Sequence, residues 1–349
     1  MTHGGNVWQG EGPKHWLDYS ANLRPEGAPE WVKSALLRAV DSAAYYPDPE
    51  MKRARRAMAQ ALNLPEENVL PTAGGISAID LIARQSERAV LTTPCFEEYE
   101  RQSREHGAPV RKVSLLDGRR LISPAEALRK ELRGGETVWL CNPMNPVGAA
   151  FSRDEVAALL RLAEERGAFL AVDEAFGEYC PEHSVRNWVT EHPSLAVVGS
   201  LTKILGIPGV RLGYLCADAA MVKQLHARQI TWEVSCFASA VAEELPDHAA
   251  EIEADAARSA RRREALRAQL EALGAFVYPS QAPFLLADFG FPVEKMAENL
   301  RKKGVLVRSC MSFDGLADGR HLRLAVKDEE SNARLIAALR EEMTCAENR

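Results

Sequence analysis

Residues 196–217 read AVVGSLTKILGIPGVRLGYLCA and contain two apolar runs, Ala196–Ser200 and Leu212–Ala217, joined by a loop that carries Lys203 and Arg211. Three similar runs precede them, at Ala89–Thr93, Thr137–Cys141 and Phe169–Val172. Short runs without polar alternation are typical of strands that are buried on both faces of a sheet. Longer helical patterns lie between the runs, so the sequence predicts an α/β domain with a mainly parallel sheet.

The helical pattern at Ser152–Gly167 shows how these strands are connected. Ser152 and Glu155 have the spacing of a capping box, and Gly167 is a typical helix terminator. Between them the apolar residues form one stripe along a helix: Val156, Leu159, Leu160 and Ala163. The pattern therefore predicts an amphipathic helix packed on the sheet.

The composition changes near residue 245. Residues Leu245–Leu273 are rich in Ala, Glu and Arg with helical spacing, which predicts a long, partly exposed helix. Beyond it a helical pattern at Val293–Lys303 is flanked by short apolar pieces, at Phe276–Tyr278, Phe284–Phe289, Val305–Arg308 and His321–Val326. We therefore expect a large domain at residues 41–245 and a smaller α+β domain at 246–349. Residues 1–40, including the helical stretch Pro29–Val40, are expected to form an N-terminal arm and part of the smaller domain.

The overall composition excludes several classes of protein. In 349 residues, 43 basic and 49 acidic side chains give a net charge of −6, without the basic excess of a nucleic-acid-binding or membrane-surface protein. No apolar run approaches the roughly 18 residues of a membrane-spanning helix, and the start MTHGGNVWQGEG lacks the pattern of a signal peptide. The seven cysteines are far apart, without the spacing of a metal site. We expect a cytoplasmic protein with free thiols and no metal, which acts on a small molecule.

Four segments end at transitions from strand to loop, where open α/β sheets bind their ligands: Cys141–Gly148, Asp173–Phe176, Ser200–Lys203 and Arg211. Their order resembles that of the fold type I family of pyridoxal-phosphate enzymes, the aspartate-aminotransferase-like group. The resemblance covers nearly the whole chain. It implies pyridoxal 5'-phosphate as cofactor, a large domain with a mainly parallel seven-stranded sheet, and a smaller α+β domain.

Within this family the chain is most similar to threonine-phosphate decarboxylases and next to histidinol-phosphate aminotransferases. The segments that carry this likeness are His3–Asn6, Asp18–Asn22, Tyr46–Asp48, Ile207–Tyr214 and Arg308–Cys310. The likeness implies decarboxylation of an O-phospho-amino acid, such as L-threonine O-3-phosphate, to an aminopropanol phosphate for cobamide assembly. Aminotransfer to or from histidinol phosphate or another amino acid is the alternative. A non-catalytic ligand sensor is a third possibility, although the chain retains Lys203.

Two residues are the candidate catalytic groups. A lysine amine is needed to hold the cofactor aldehyde and then to move protons, and Lys203 follows an apolar strand and two small hydroxyl residues. Asp173 follows the buried run Phe169–Val172, where an unpaired carboxylate would cost several kcal/mol. A protonated pyridine nitrogen is a suitable cationic partner. A helix cap or an arginine pair is the structural alternative for Asp173.

The resemblance also assigns the remaining cofactor contacts. Asn145 matches the residue that binds the phenolic oxygen of the cofactor, and Phe96 or Tyr99 would stack on its ring. The phosphate is expected to meet N–H groups at a helix N-terminus, a hydroxyl and a guanidinium, from Gly74, Gly75, Ile76, Ser200 and Arg211. Tyr46 would approach the cofactor from a neighbouring subunit.

Substrate binding is expected to involve a second group of residues. Arg323 matches the family's carboxylate-binding arginine, because a guanidinium can grip a carboxylate through two hydrogen bonds. Arg308 and His3 match residues near the substrate phosphate, and Asn22 is grouped with them. Because the N-terminal arm and the Tyr46 region commonly reach a neighbouring site in this family, the resemblance implies a homodimer with shared active sites.

The sequence departs from the decarboxylase pattern at positions that bear on the substrate. Arg24 and Ser235 replace asparagines, Lys327 replaces an arginine, and Phe176 stands where many aminotransferases have a tyrosine. The segment Ala73–Ser77 reads AGGIS in place of a polar loop of the Asn-Gly-Glu-Thr-Glu type. These departures leave the proposed cofactor residues present but put the identity of the substrate in doubt.

Overall fold

The computed structural model describes residues 4–8 and 12–347, and its elements follow the predicted alternation of strands and helices. The strands are β1 Leu17–Asp18, β2 Val69–Thr72, β3 Ala89–Thr93, β4 Val110–Ser114, β5 Leu116–Asp117, β6 Arg120–Leu121, β7 Thr137–Cys141, β8 Phe169–Glu174, β9 Leu195–Ser200, β10 Gly213–Ala217, β11 Phe276–Val277, β12 Phe284–Asp288, β13 Val305–Leu306, β14 Arg308–Ser309 and β15 His321–Ala325. The helices are α1 Glu30–Arg38, α2 Lys52–Leu62, α3 Gly75–Ala83, α4 Glu98–Glu105, α5 Pro124–Leu128, α6 Arg153–Glu165, α7 Ala219–His226, α8 Cys236–Glu244, α9 Ala249–Ala272, α10 Glu294–Lys302 and α11 Glu329–Glu347.

A seven-stranded sheet forms the centre of the larger domain, with the order β2-β10-β9-β8-β7-β3-β4. β10 runs antiparallel to both of its neighbours, whereas the other pairs are parallel. The prediction of a mainly parallel seven-stranded α/β sheet is therefore confirmed, and all five strands proposed from the sequence belong to it. β2 and β4 had not been singled out, because β2 contains Pro71 and the edge strand β4 carries Arg111 and Lys112.

Local sequence signals account for the best-defined helix of this domain. Before α6, the Ser152 Oγ accepts a hydrogen bond from the Glu155 N–H at 3.3 Å, and the Glu155 carboxylate accepts one from the Ser152 N–H at 2.8 Å. Both halves of the predicted capping box are thus formed. The apolar stripe of α6 is buried in the core that also contains the central strands.

The smaller domain contains a four-stranded antiparallel sheet with the order β11-β12-β15-β14, which packs with α9, α10 and α11. The N-terminal segment joins this domain through β1, which pairs in parallel with β13. Helix α1 does not. Its buried residues Trp31, Val32 and Ala35 belong to the core of the larger domain, and α1 packs on α8. The expectation that the Pro29–Val40 stretch lies with the smaller domain is therefore wrong, because its apolar face meets α8.

No helix in the described part of the chain is long and apolar enough to cross a membrane. The cysteines whose side chains the structure describes are free thiols. Cys141, Cys180, Cys216 and Cys310 are buried, whereas Cys95 and Cys236 are partly buried.

Candidate active site

A cavity of about 260 Å³ lies where the carboxyl ends of the central strands face the smaller domain. Its size is near the lower end of the range for small-molecule sites. The structure brings together at its wall most of the residues proposed from the sequence: Asn22, Gly75, Ile76, Phe96, Asn145, Asp173, Ser200, Lys203, Arg211, Arg308 and Arg323. These residues come from both domains and from the N-terminal segment, so the cavity depends on the tertiary arrangement.

Asp173 is held at the end of β8 by two hydrogen bonds. Its Oδ1 accepts the Ala175 N–H at 2.8 Å, and its Oδ2 accepts the hydroxyl of Tyr99. The carboxyl group is buried, and burial raises its pKa, although the Tyr99 hydroxyl, the Ala175 amide and the Lys203 charge act in the opposite direction. A cation placed against Asp173 would favour its ionised form. The site therefore fits the protonated ring nitrogen of pyridoxal phosphate.

Lys203 lies in the turn that follows β9, and its side chain is partly buried in the cavity wall. Burial, followed by the charges of Arg323 and Arg211, lowers the pKa of Lys203 to about 8. The backbone of Lys203 is held by a hydrogen bond, since its carbonyl accepts the Arg24 N–H at 3.3 Å. A lysine with a lowered pKa has the neutral amine that condensation with an aldehyde requires.

The N-terminus of α3 forms one end of the cavity. Gly74 precedes the helix with a φ of 79°, and a Cβ atom there would lie 2.6 Å from Nη2 of Arg211. Gly75 and Ile76 begin the helix, so their N–H groups come before the first intrahelical hydrogen bond. Ser200 lies beside them, and its Oγ is 2.9 Å from Oγ1 of Thr202. This combination of amides, hydroxyls and a guanidinium fits a phosphate group.

Arg323 projects from β15 of the smaller domain and meets residues of two other segments. Its Nη1 donates to the Asn145 Oδ1 at 2.7 Å, and its Nη2 donates to the Ser20 carbonyl at 2.5 Å. Its Nε–H is buried and has no partner in the described part of the chain. Since a buried, unpaired donor is costly, Arg323 fits a carboxylate ligand. Because Asn145 accepts the bond from Arg323 through Oδ1, its Nδ2 group can donate to a ligand in the cavity.

Arg308, from β14 of the smaller domain, also lines the cavity. Its Nη2 donates to the Ser312 Oγ at 3.0 Å, and its guanidinium lies 5.2 Å from the centroid of the Phe313 ring. Burial lowers the pKa of Arg308, whereas Cys310 and Glu97 act to raise it. Gly4 lines the cavity as well, and a Cβ atom there would lie 2.0 Å from the Ser20 carbonyl oxygen. The described N-terminal segment therefore contributes Gly4 to the cavity of its own chain.

Two of the proposed residues that the structure describes do not line the cavity wall. Tyr46 is 78% exposed and stacks on Trp232 with a centroid distance of 4.3 Å, outside the cavity. Gly74 acts as a spacer next to Arg211 instead of lining the cavity. His3 lies outside the described residues.

The structure separates the two candidate stacking residues. Phe96 lines the cavity, whereas Tyr99 is fully buried behind it, where it stacks on Trp139 at 5.0 Å and donates to Asp173. Of the two alternatives, the structure therefore favours Phe96, because the Tyr99 ring is covered by Trp139. Its hydroxyl instead orients the carboxylate.

Several residues of the wall were not proposed from the sequence. Ser20, Ala21, Glu97, Cys141, Thr202 and Phe313 all line the cavity. Most of them lie close in sequence to a residue that was proposed. The sequence therefore identified the segment but not these side chains. Phe313 has no such signal, because it lies in an irregular stretch between β14 and β15.

Two of the departures from the decarboxylase pattern have structural roles outside the cavity wall. The Arg24 Nε pairs with the Asp255 Oδ2 of α9 at 2.7 Å. Ser235 caps α8, and its Oγ accepts the Ala238 N–H at 3.1 Å. Phe176 does line the cavity and makes an edge contact with Phe284, with the centroids 5.0 Å apart.

Comparison with known proteins agrees with this geometry. Residues 14–339 match the family model for aminotransferase class I and II. The threonine-phosphate decarboxylase of Salmonella typhimurium is 33% identical over 98% of this chain and 97% of its own length. Histidinol-phosphate aminotransferase 1 of Bacillus cereus is 28% identical over 92% of this chain and 87% of its own length. The crystal structure of the histidinol-phosphate aminotransferase from Clostridium acetobutylicum has a TM-score of 0.88 at 26% identity, and covers 93% of this chain and 98% of the other. The chain therefore belongs to the class I and II aminotransferase family of fold type I enzymes, with pyridoxal 5'-phosphate as its cofactor.

Proposed function

We propose that this enzyme decarboxylates an O-phospho-amino acid, with L-threonine O-3-phosphate as the first candidate and an aminopropanol phosphate for cobamide assembly as the product. The charge of the cavity wall carries the proposal. Within the described part of the chain, the wall holds the cations Lys203, Arg211, Arg308 and Arg323 and the carboxylates Glu97 and Asp173. Lys203 and Arg211 are accounted for by the cofactor. Two arginines remain, which suits a substrate that bears both a carboxylate and a phosphate.

Arg323 would bind the substrate carboxylate. Its guanidinium is fixed by Asn145 and the Ser20 carbonyl, while its Nε–H remains without a partner in the described chain. Such a preorganised cation binds a carboxylate without a further loss of side-chain freedom. Arg308, held by Ser312 and Phe313, would bind the substrate phosphate together with His3. Asn22, whose Oδ1 is buried and unpartnered in the described chain, would accept a donor from the substrate.

Pyridoxal phosphate supplies an electron sink for the negative charge that develops at the substrate α-carbon. Arg323 would orient the α-carboxylate so that it leaves as carbon dioxide, and the electron pair of the broken bond would remain with the substrate. Lys203 would donate the proton from Nζ that takes the place of the carboxylate at the α-carbon. Asp173 would keep the ring nitrogen of the cofactor protonated.

Aminotransfer is the second candidate function. The similarity to histidinol-phosphate aminotransferases over more than nine-tenths of the chain supports it. In that reaction Lys203 would remove the α-hydrogen, and Arg323 would hold the carboxylate of an amino-acid substrate in place. The same residues serve both reactions, and the orientation imposed by Arg323 decides between them.

We also propose that the active enzyme is a homodimer. Large apolar side chains are exposed beside the α3 end of the cavity and on the adjacent α1 face: Leu37, Val40, Tyr45, Tyr46, Ile230 and Trp232. A cluster of this kind is typical of a protein–protein interface. A second copy that covers it would bring its Tyr46 towards the first copy's cofactor. Light scattering coupled to gel filtration is expected to give twice the chain mass, and a stable monomer with full activity would contradict the proposal.

The reaction is tested by offering two substrate sets to the holoenzyme. L-Threonine O-3-phosphate alone is expected to release carbon dioxide, and L-threonine without the phosphate is expected to react far more slowly, since Arg308 then has no anion to bind. Histidinol phosphate with 2-oxoglutarate is expected to give little glutamate. Glutamate formation without carbon dioxide from the phospho-amino acid would contradict the decarboxylase proposal and favour the aminotransferase. The Lys203→Ala variant provides the background for both assays.

A further inference from the structure

The loop at the N-terminus of α3, defined as Ala73–Ser77, comprises the turn before the helix and its first three residues. It has few polar side chains of its own. Residues Ala73–Ser77 provide two glycines, an alanine and an isoleucine, with Ser77 as the polar residue. Backbone N–H groups must therefore provide most of this loop's contacts with the cofactor phosphate. Amides bind an anion well only when the backbone is held in one conformation, because reorientation would cost part of the binding energy.

Glu233 lies against this loop at Ala73 and Ser77, whereas Arg211 approaches it at Gly74. Its Oε1 accepts the Ser77 hydroxyl at 2.6 Å and the Ala73 N–H at 3.2 Å, so one carboxylate oxygen binds both ends of the loop. It also accepts the Gln229 Nε2 group at 2.8 Å. Gln229 in turn donates to the Pro71 carbonyl of β2 at 2.8 Å. The carboxylate thus connects the loop, the end of β2 and the segment after α7.

The turn that carries Glu233 is itself constrained. Trp232 has a φ of 63°, which is an unusual conformation for a bulky residue and persists only where the surroundings impose it. The Glu233 N–H donates to the Ile230 carbonyl at 3.1 Å and closes the turn. The Trp232 ring stacks on Tyr46 at 4.3 Å. This strained turn places the Glu233 side chain against the loop.

We propose that Glu233 is a positioning residue for the cofactor phosphate. It fixes the backbone of residues 73–77 so that the N–H groups of Gly75 and Ile76 face the cavity. Its negative charge is offset by three hydrogen-bond donors, so it can lie behind an anion site without opposing the anion directly. The hydrogen bonds of Glu233 with Ala73 and Ser77 take the place of the polar side chains that this loop lacks. The proposal requires only that the cofactor is pyridoxal phosphate, so it holds for a decarboxylase and for an aminotransferase.

The test compares two forms of the cofactor on the apoenzyme. Pyridoxal phosphate and pyridoxal differ only in the phosphate, so a residue that acts through the phosphate loop changes the affinity for the first and not for the second. In Glu233→Ala we expect the dissociation constant for pyridoxal phosphate to rise roughly tenfold, as for the loss of charge-assisted hydrogen bonds, with the value for pyridoxal unchanged. Glu67→Ala, at an exposed glutamate on the approach to β2, is the matched control and is expected to leave both constants unchanged.

Two further variants separate positioning from folding. Ser77→Ala removes one of the two loop contacts and is expected to weaken pyridoxal phosphate binding by less than Glu233→Ala does. Glu233→Gln retains an acceptor oxygen and is expected to restore most of the affinity. Equal losses for pyridoxal and pyridoxal phosphate, or unchanged affinity in both Glu233→Ala and Ser77→Ala, would overturn the proposal. If Glu233→Ala does not fold, the Ser77→Ala titration decides by the same criterion.

Discussion

The two ends of the cavity are built differently. At the cofactor end, Asp173 and Ser200 terminate adjacent strands of the central sheet, and Lys203 follows directly after one of them. The side chains of Asp173 and Ser200 are paired within the protein, Asp173 with Tyr99 and Ala175 and Ser200 with Thr202. At the substrate end, Arg323 and Arg308 come from short strands of the smaller domain, and Asn22 and Gly4 from the N-terminal segment.

The difference is one of hydrogen-bond satisfaction. Within the described part of the chain, the unpaired buried polar atoms at the cavity wall include Arg323 Nε and Asn22 Oδ1, both at the substrate end. A buried donor or acceptor without a partner costs about 1–3 kcal/mol, and a ligand that supplies the partner recovers that cost on binding. We therefore expect a ligand that binds near Arg323 and Asn22 to supply the partners that these two atoms lack.

The largest effect on activity is expected from removal of the amine at the cofactor end. Lys203→Ala is expected to abolish turnover and the visible absorbance band of lysine-bound cofactor, because no other amine in the described cavity wall can take its place. Borohydride reduction of the wild type is expected to fix the cofactor to the peptide that contains Lys203. Fixation at another lysine would contradict the assignment.

Removal of the substrate arginine tests the opposite end. Arg323→Leu is expected to lower kcat/KM by roughly 10²- to 10³-fold, since it removes the buried charge that we propose binds the substrate carboxylate. The cofactor absorbance band is expected to remain, because Arg323 does not hold the cofactor ring. Arg340→Leu, at an exposed arginine of α11, is the matched control. Normal turnover in Arg323→Leu would refute its role in substrate binding.

The pH dependence of cofactor attachment measures how strongly the cofactor end perturbs its lysine. The neutral amine reacts, and the pKa of Lys203 is lowered from its usual value to about 8. The rate at which apoenzyme acquires the absorbance band is therefore expected to rise from pH 7 to pH 9 by roughly tenfold and then to level off. A rate that continues to rise towards pH 10.5, the ordinary lysine value, would show that the cavity does not lower this pKa.

A smaller effect is expected from the hydroxyl behind Asp173. Tyr99→Phe keeps the ring stacked on Trp139 but removes one hydrogen bond to a buried carboxylate, so kcat is expected to fall by roughly tenfold. KM is expected to change little, since Tyr99 does not line the cavity. Tyr214→Phe is the control, because it also removes a buried tyrosine hydroxyl that donates to a carboxylate, that of Glu178, but outside the cavity wall. A change in KM alone would indicate that Tyr99 supports substrate binding and not the cofactor.

The smallest effect concerns how the smaller domain is held. Arg119, in the hairpin of β5 and β6, donates through Nε and Nη2 to Oδ2 of the buried Asp288 at 3.0 and 2.7 Å. Arg119→Gln is expected to raise KM a few-fold with kcat unchanged, because the pair connects the larger domain to the sheet that carries Arg323. Its exposed neighbour supplies the control Arg120→Gln. An equal fall in kcat would show that the pair supports the cofactor end as well.

The sequence pointed to Lys203 and Asp173 because apolar runs end next to these polar residues, and the structure brings both to one cavity. The sequence left the choice between Phe96 and Tyr99 open. That choice between cavity and core depends on Trp139, which lies on another strand. The helix α1 was assigned to the wrong domain for a similar reason, since either apolar surface could have covered its stripe.

Local sequence determined this protein's strands, its helices and the positions where polar residues follow the strands, because these features depend on neighbours within a few residues along the chain. Only the tertiary structure decided that Arg323 contacts Asn145 and Ser20, and that Glu233 supports the loop before α3. Those contacts join segments that are distant in sequence. They form only when the domains pack, since packing is what makes an unpaired buried polar group costly enough to select a single partner.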